Sequence, residues 1–218
     1  MALPDWWPSK HPWIIDDCMN VMAKMPDKCV DLVLTDPPYG IGLSQKTEMG
    51  YKGFNVFKKS DWDNKIPDVE CFNELFRVSK NQIIFGGNYY GLPPTRCVIV
   101  WDKGEGFYER TFAECEVAWT SFNQNSKIFK HDPLANGDYK GKQHIAQKPV
   151  PLIIGILEKY SNPGDIIFDP FLGSGTTLLA CRKTGRIGLG CEINPVYEPI
   201  IRKRSMQDIT RLDMFGVE

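Results

Sequence analysis

The sequence predicts an α/β fold built on a mostly parallel sheet with helices on both faces. Three observations carry that reading. Val30-Asp31-Leu32-Val33-Leu34-Thr35 and Ile166-Ile167-Phe168 are short apolar runs of the kind buried on both faces of a parallel sheet. Each ends in a polar turn, which is where open α/β sheets place their ligands: Asp36-Pro37-Pro38-Tyr39 after the first, Asp169-Pro170-Phe171-Leu172-Gly173-Ser174-Gly175-Thr176-Thr177 after the second. A helical stretch, Leu178 to Lys183, follows the second turn and stops at Gly185. It leads into a third apolar run, Arg186 to Cys191, that ends in Glu192.

The two turns carry different chemistry. Asp36 accepts hydrogen bonds when ionised, Pro37 offers a carbonyl without a competing N–H, and Tyr39 adds a flat π-face. Two acceptors aimed at an amine conjugated to a ring would draw its nitrogen towards tetrahedral geometry and free the lone pair. Asp-Pro-Pro also occurs in ordinary turns, so the tetrapeptide alone leaves both readings open. The downstream series is more specific. Strand, glycine-rich turn and helix let a ligand lie against bare backbone, because glycines place no Cβ in the way. Glu192 lies about 20 residues beyond those glycines, where a carboxylate can take both hydroxyls of a ribose. No Gly-Lys-Ser/Thr closes the loop, and Leu178 stands where a dinucleotide fingerprint has its third glycine. A ribose-binding acid without a pyrophosphate cradle suits S-adenosylmethionine.

Together, Asp36-Pro37-Pro38-Tyr39 and Asp169-Pro170-Phe171-x-Gly173-Ser174-Gly175-Thr176-Thr177 resemble the motifs of the amino-methylating DNA methyltransferases of adenine and cytosine. The catalytic motif comes first and the cofactor loop last, an order similar to the β group of that family. The elements between the anchors resemble the family in turn. Ile14-Ile15-Asp16-Asp17-Cys18 is similar to its opening strand, with Asp16 where a glycine is common. Met25-Pro26-Asp27 is similar to the lead-in to the catalytic strand, and Gln82 to Asn88 to the next strand with its glycine-rich end. Val98 to Lys103 and Glu116 to Trp119 look like the terminal antiparallel pair, and Gln147 to Leu152 like the helix entry before the cofactor strand.

The resemblance implies a Rossmann-like, mostly parallel seven-stranded sheet with permuted motif order. It implies methyl transfer from S-adenosylmethionine to the N6 amino group of adenine in flipped-out DNA, since an Asp rather than a Ser precedes Pro-Pro-Tyr. Cytosine N4, RNA and protein glutamine remain as alternatives. Asp36, Pro37, Pro38 and Tyr39 would be catalytic. Asp169, Gly173 and Gly175 would border the methionine part of the cofactor, Glu192 the ribose, Asp17 the adenine end and Lys148 the cofactor carboxylate, with Phe171, Ser174 and Thr176 also binding the cofactor. DNA is the implied partner. A cognate restriction endonuclease acting on the same site fits the family, and monomer and homodimer both stay open.

Size and charge agree with a single domain over 1–218. The chain of 218 residues is 42% hydrophobic and 24% charged, ordinary for a globular protein. A net charge of −1 gives no global nucleic-acid signal, so any basic surface is local. Lys46, Lys52, Lys58 and Lys59 face only Glu48 between Gly40 and Ser60, interleaved with Tyr51, Phe54 and Phe57. Lys127, Lys130, Lys140, Lys142 and Lys148 outnumber Asp132 and Asp138 between Ser121 and Lys148. Solvated loops explain such balances; phosphate contacts and base stacking explain them too. The variable stretch at about 121–146 is the expected target-recognition segment, with Asn123, Gln124, Asn125 and Asn136 as candidate base readers. Apolar runs are too short to span a membrane, and no secretory h-region precedes Trp13. Seven scattered cysteines and three histidines show no ligand spacing, which predicts reduced thiols, no metal and a cytoplasmic setting.

Overall fold

One mixed sheet organises the computed structural model, which describes residues 2–42, 63–111, 113–138 and 147–206. Its strands are β1 (Trp13–Ile15), β2 (Val30–Thr35), β3 (Ser79–Phe85), β4 (Val98–Asp102), β5 (Cys115–Thr120), β6 (Lys127–Lys130), β7 (Ile166–Asp169) and β8 (Ile187–Glu192). Their spatial order is β1-β8-β7-β2-β3-β5-β4-β6. The two strands read as cofactor-bearing and catalytic are therefore neighbours, with Leu32 beside Ile167 and Val33 beside Phe168 in parallel register.

The sheet has eight strands rather than the seven expected, and the antiparallel strands are not terminal. β5 runs antiparallel to both β3 and β4, and β6 adds a parallel edge strand beyond β4. The extra strand falls inside the stretch read as a variable loop. Lys127-Ile128-Phe129-Lys130 is short and lysine-ended, and only Phe129 packs inward. Lysines on a short edge strand are a common guard against further pairing, and they hide the strand's pattern.

Alternation along the strands feeds two cores. Leu32, Leu34, Ile83, Phe85 and Ile167 meet helices α3 (Val150–Tyr160) and α4 (Thr176–Lys183) on one face. Val33, Ile84, Phe168, Leu189 and Cys191 meet α1 (Cys18–Met22) and α2 (Val69–Val78) on the other. Helix α2 buries Cys71, Phe72, Leu75 and Val78, one stripe at helical spacing. Pro149 precedes α3 and Pro151 lies in its first turn, where a missing N–H costs nothing. A last helix, α5 (Glu198–Ser205), packs against α4.

From β7 the chain moves outward through α4 to β8, and from β2 it moves the other way through α2 to β3. The carboxyl ends of β2 and β7 thus flank a topological switch point, with the crevice between them. Among the described residues, no helix is long and apolar enough to cross a membrane.

Gly190 lets β8 close on β7. A Cβ there would lie 2.7 Å from the Asp169 carbonyl oxygen and 2.9 Å from Leu172 Cδ1. Gly190→Ala should cost about 1–3 kcal/mol of stability, the scale of an overpacked core. Urea unfolding would read it, and an unchanged midpoint would mean that the two strands have slack.

Candidate active site

A cavity of about 320 Å³ opens at the switch point. Asp36 and Pro38 line it from the end of β2, Asp169 to Ser174 from the turn after β7, and Thr176 and Thr177 from α4. Glu192 closes it from the end of β8, Asp17 from the cap of α1, and Gln147 and Lys148 from the segment before α3. Of the thirteen residues singled out in the sequence, Pro37, Tyr39 and Gly175 are not part of that wall; Pro37 and Tyr39 continue the Asp36 turn, and Gly175 precedes α4 at φ 80°.

Asp169 ties the halves together. Its Oδ1 accepts from Thr35 Oγ1 at 2.8 Å and from the Phe171 N–H at 3.1 Å, and its Oδ2 accepts from Thr177 Oγ1 at 2.6 Å. Burial pushes its pKa up to about 6, against the pull of those donors. Glu192 is held by backbone: the Gly173 N–H donates to Oε2 at 2.8 Å and the Asn194 N–H to Oε1 at 2.9 Å. Burial raises its pKa as well. Each carboxylate oxygen keeps a lone pair beyond its backbone donor. Asp17 caps α1, accepting from the Met19 N–H at 2.8 Å, and the neighbouring Asp16 side chain braces the Asp17 N–H at 2.7 Å. An Asp at the position expected for glycine thus serves as a local brace.

Two features of the loop bear on a ligand. Thr176 Oγ1 is buried on the cavity wall without a hydrogen-bond partner among the described residues, a costly state unless another molecule completes it. Gly173 adopts φ 54°, the left-handed region that glycine occupies without strain, and its N–H is the one that holds Glu192. Ser174, by contrast, is already engaged: its hydroxyl meets Gln147 Oε1 at 3.1 Å and accepts from Arg204 at 2.6 Å.

The Asp36 turn carries ion pairs that the sequence did not suggest. Lys148, expected beside the cofactor carboxylate, forms ion pairs with Asp36 Oδ2 and with Glu116 Oε2, the latter at 3.0 Å. Burial works against its ammonium, but the two carboxylates outweigh burial and raise the Lys148 pKa. Glu116 in turn meets Lys103 Nζ at 2.8 Å. Burial raises the Glu116 pKa, but Lys148 and Lys103 outweigh it and bring the value to about 2. Burial likewise raises the pKa of Asp36, more than Lys148 lowers it, and the Glu116 charge adds to the rise. Glu116 and Lys103 were not among the residues read from the sequence. Both lie in segments that read as ordinary strand ends, and no motif marks them.

Tyr39 donates its hydroxyl to Asp36 Oδ1 at 2.6 Å. Its ring stacks on Tyr89, centroids 4.8 Å apart and planes at 15°, while a Cβ at Gly86 would strike the same ring at 2.3 Å. The Asp63 carboxylate accepts from the Tyr39 and Gly40 N–H groups at 2.8 and 3.0 Å. The Pro37 carbonyl accepts from the Tyr90 hydroxyl at 2.9 Å and keeps its second lone pair.

A family model described as DNA methylase matches residues 99–203. YubD of Escherichia coli strain K12, named as a methylase, is 28% identical over 204 residues, covering 85% of this chain and 86% of that protein. Over most of its length the chain is similar to DNA methylases. Solved DNA methylases share its fold. TTHA0409 from Thermus thermophilus, solved with S-adenosyl-L-methionine, superposes with a TM-score of 0.55 at 20% identity over 89% of this chain and 93% of that one. The cytosine-N4-specific PvuII DNA methyltransferase gives 0.56 at 16% identity over 93% and 89%.

Within this chain the basic stretch is split. Lys130 ends β6 next to Asp102, at the edge of the sheet that carries Asp36, whereas Lys127 begins the strand at the far edge. Asn123 and Asn125 also lie at the far edge, where their side chains accept from Arg96 at 3.5 and 2.9 Å. Asn136 turns its amide back onto the Asp132 carbonyl at 2.7 Å. Lys46, Lys52, Lys58, Lys59, Lys140 and Lys142 lie outside the described residues, as do Tyr51, Phe54 and Phe57.

Asp169 gives this site a pH signature. Its folded pKa lies above the unfolded value near 3.8, so its contribution to stability is fully present below that value and is lost as pH rises through about 6. Wild type should therefore lose up to about 3 kcal/mol relative to Asp169→Asn between about pH 4 and pH 7. Urea melts across that range test it; parallel curves would mean that Asp169 is ionised throughout.

Proposed function

We propose that this chain is a site-specific DNA methyltransferase that moves a methyl group from S-adenosylmethionine to the N6 amino group of adenine, with the target base turned out of the duplex. The observation that carries the reading is one crevice shared by two halves: the Asp36 carboxylate and the Glu192–Gly173–Thr176 cradle face the same cavity. An amine acceptor and a ribose acceptor that open into a common space suit transfer between a base and a nucleoside-bearing cofactor.

The residues fit that cofactor. Glu192 would take the ribose hydroxyls with its remaining lone pairs, and Thr176 Oγ1 would gain the partner it lacks among the described residues. Asp17 would border the adenine end, and Asp169, Phe171, Gly173, Ser174 and Gly175 the methionine part. When bound, S-adenosylmethionine supplies a methyl group on a positively charged sulfur.

Asp36 and the Pro37 carbonyl would accept the two N–H bonds of the target amine, keeping its lone pair aimed into the cavity. Tyr39 would stack on the base, with Tyr89 giving way because it covers one face of that ring. The nitrogen lone pair would form the new N–C bond with the methyl that the sulfonium gives up, the S–C electron pair staying on a neutral sulfur, and the amine proton would pass to solvent afterwards. Asp at position 36, rather than Ser, favours adenine N6 as the acceptor. Lys130, at the catalytic edge, supplies a phosphate contact.

Label from S-adenosylmethionine carrying a tritiated methyl should enter duplex DNA and appear as N6-methyladenine after digestion to nucleosides. Label in N4-methylcytosine would reassign the base, and label only in RNA or protein would sink the DNA reading. In the same assay Asp36→Ala should abolish transfer while cofactor affinity stays within about threefold, because the lost acceptor would meet the amine and not the cofactor. Glu192→Gln should do the reverse, weakening S-adenosylmethionine binding by about 1.5–3 kcal/mol in calorimetry, the scale of a hydrogen bond to a charged group. Unchanged affinity would remove Glu192 from the cofactor site.

A further inference from the structure

A carboxylate can favour a nitrogen that is becoming cationic only if its own charge is not already spent. Asp36 has Lys148 hard against it, and a lone Asp–Lys pair would present almost no net charge to the amine. The pair is not alone. Glu116 reaches the same ammonium from β5 at 3.0 Å, and Lys103 sits on the other oxygen of Glu116 at 2.8 Å. Acid, base, acid and base follow one another away from the cavity, and Lys103 and Lys148 are both buried.

We propose that Glu116 is a positioning residue for methyl transfer: by sharing Lys148 it leaves Asp36 with the net negative charge that the methylated nitrogen needs. Lys103 anchors Glu116 from the side away from the amine. This rests on the reading of Asp36 as the amine acceptor and extends it to two residues that touch neither substrate.

Position and surroundings support the assignment. Glu116 lies at the start of β5, next to Cys115, and β5 runs antiparallel to β3, so its side chain arrives at the carboxyl edge of the sheet where β2 delivers Asp36. Lys103 follows β4 and is steered by the rings of Trp101 and Phe107, at 5.1 and 5.5 Å. Lys148 lies 4.9 Å from the Phe85 ring and 5.8 Å from that of Tyr39, so apolar surface confines it to the two carboxylates. Among the described residues, the charged and titratable groups facing Asp36 are Lys148, Glu116, Tyr39, Tyr90 and Asp169; those facing Glu116 are Lys148, Lys103, Tyr39 and Asp36. Tyr39 touches both acids, at 2.6 Å to Asp36 and 3.4 Å to Glu116.

The test is single-turnover methylation of duplex DNA by wild type, Glu116→Gln and Glu116→Asp, from about pH 5 to about pH 9. Glu116→Gln should lower the plateau rate by roughly 10- to 100-fold, a scale set by the loss of one preorganised electrostatic contact. The acid limb should move the other way, to lower pH, because Asp36 loses the neighbouring anion that helps it to hold a proton. Glu116→Asp keeps the charge and should recover part of the plateau. Cofactor affinity should stay within about twofold in all three, since Glu116 does not line the cavity. A wild-type plateau in Glu116→Gln would overturn the proposal. So would a lowered plateau with the acid limb unmoved or shifted upward, the result of loosened packing alone. DNA that no variant labels, wild type included, would instead overturn the methyltransferase reading beneath it.

Discussion

A single buried carboxylate, Asp169, holds together two parts of the chain that are far apart in sequence. It takes hydrogen bonds from Thr35 at the end of β2 and from Thr177 at the start of α4. A carboxylate in a low-dielectric interior is stable only when donors surround it. That requirement fixes the relative height of β2 and β7, and with it the distance between the Asp36 turn and the glycine loop. The tight approach of β8 at Gly190 adds Glu192 at the matching level. The shape of the crevice follows from the need to satisfy one acid.

The second acid at the switch point is handled differently. Asp36 is stabilised by charge as well as by hydrogen bonds, in a chain that runs through Lys148 and Glu116 to Lys103. Buried ion pairs seldom gain much stability over apolar packing, because desolvation offsets attraction. Their presence here accords with the tuning of Asp36 proposed above. One acid is left partly undersatisfied and facing a cavity, while its neighbour is satisfied from both sides.

Much of this was legible in the residue order. Both turn motifs carry their chemistry in contiguous residues, and the apolar runs before them are clean enough to place strands and therefore the crevice. The role of Lys148 was not legible, because its partners Asp36 and Glu116 are distant in sequence, the first of them 112 residues away, and meet it only in the folded sheet. Glu116 and Lys103 escaped for the same reason: a charged residue at a strand end usually faces water, and only the folded sheet turns these two inward. β6 was missed because its lysines mask a strand of four residues. Asn123 and Asn125 followed local composition to the wrong edge of the sheet, since composition says nothing about which end of a strand a turn occupies.

The strand order also governs how the chain can acquire its structure. The first strand pairs with the eighth, and the second lies between the third and the seventh. The β1–β8 and β2–β7 pairings therefore join the two ends of the chain, the kind of long-range contact that makes folding slow. A growing polypeptide that has reached β6 already contains the Asp36 turn, Glu116 and Lys103, yet it lacks Lys148, β7, the glycine loop and Glu192. Until β7 emerges, the flank of β2 that it pairs with lacks its partner strand. The crevice is therefore completed in one step, late in synthesis, and no nascent chain that stops short of β8 holds all of its walls.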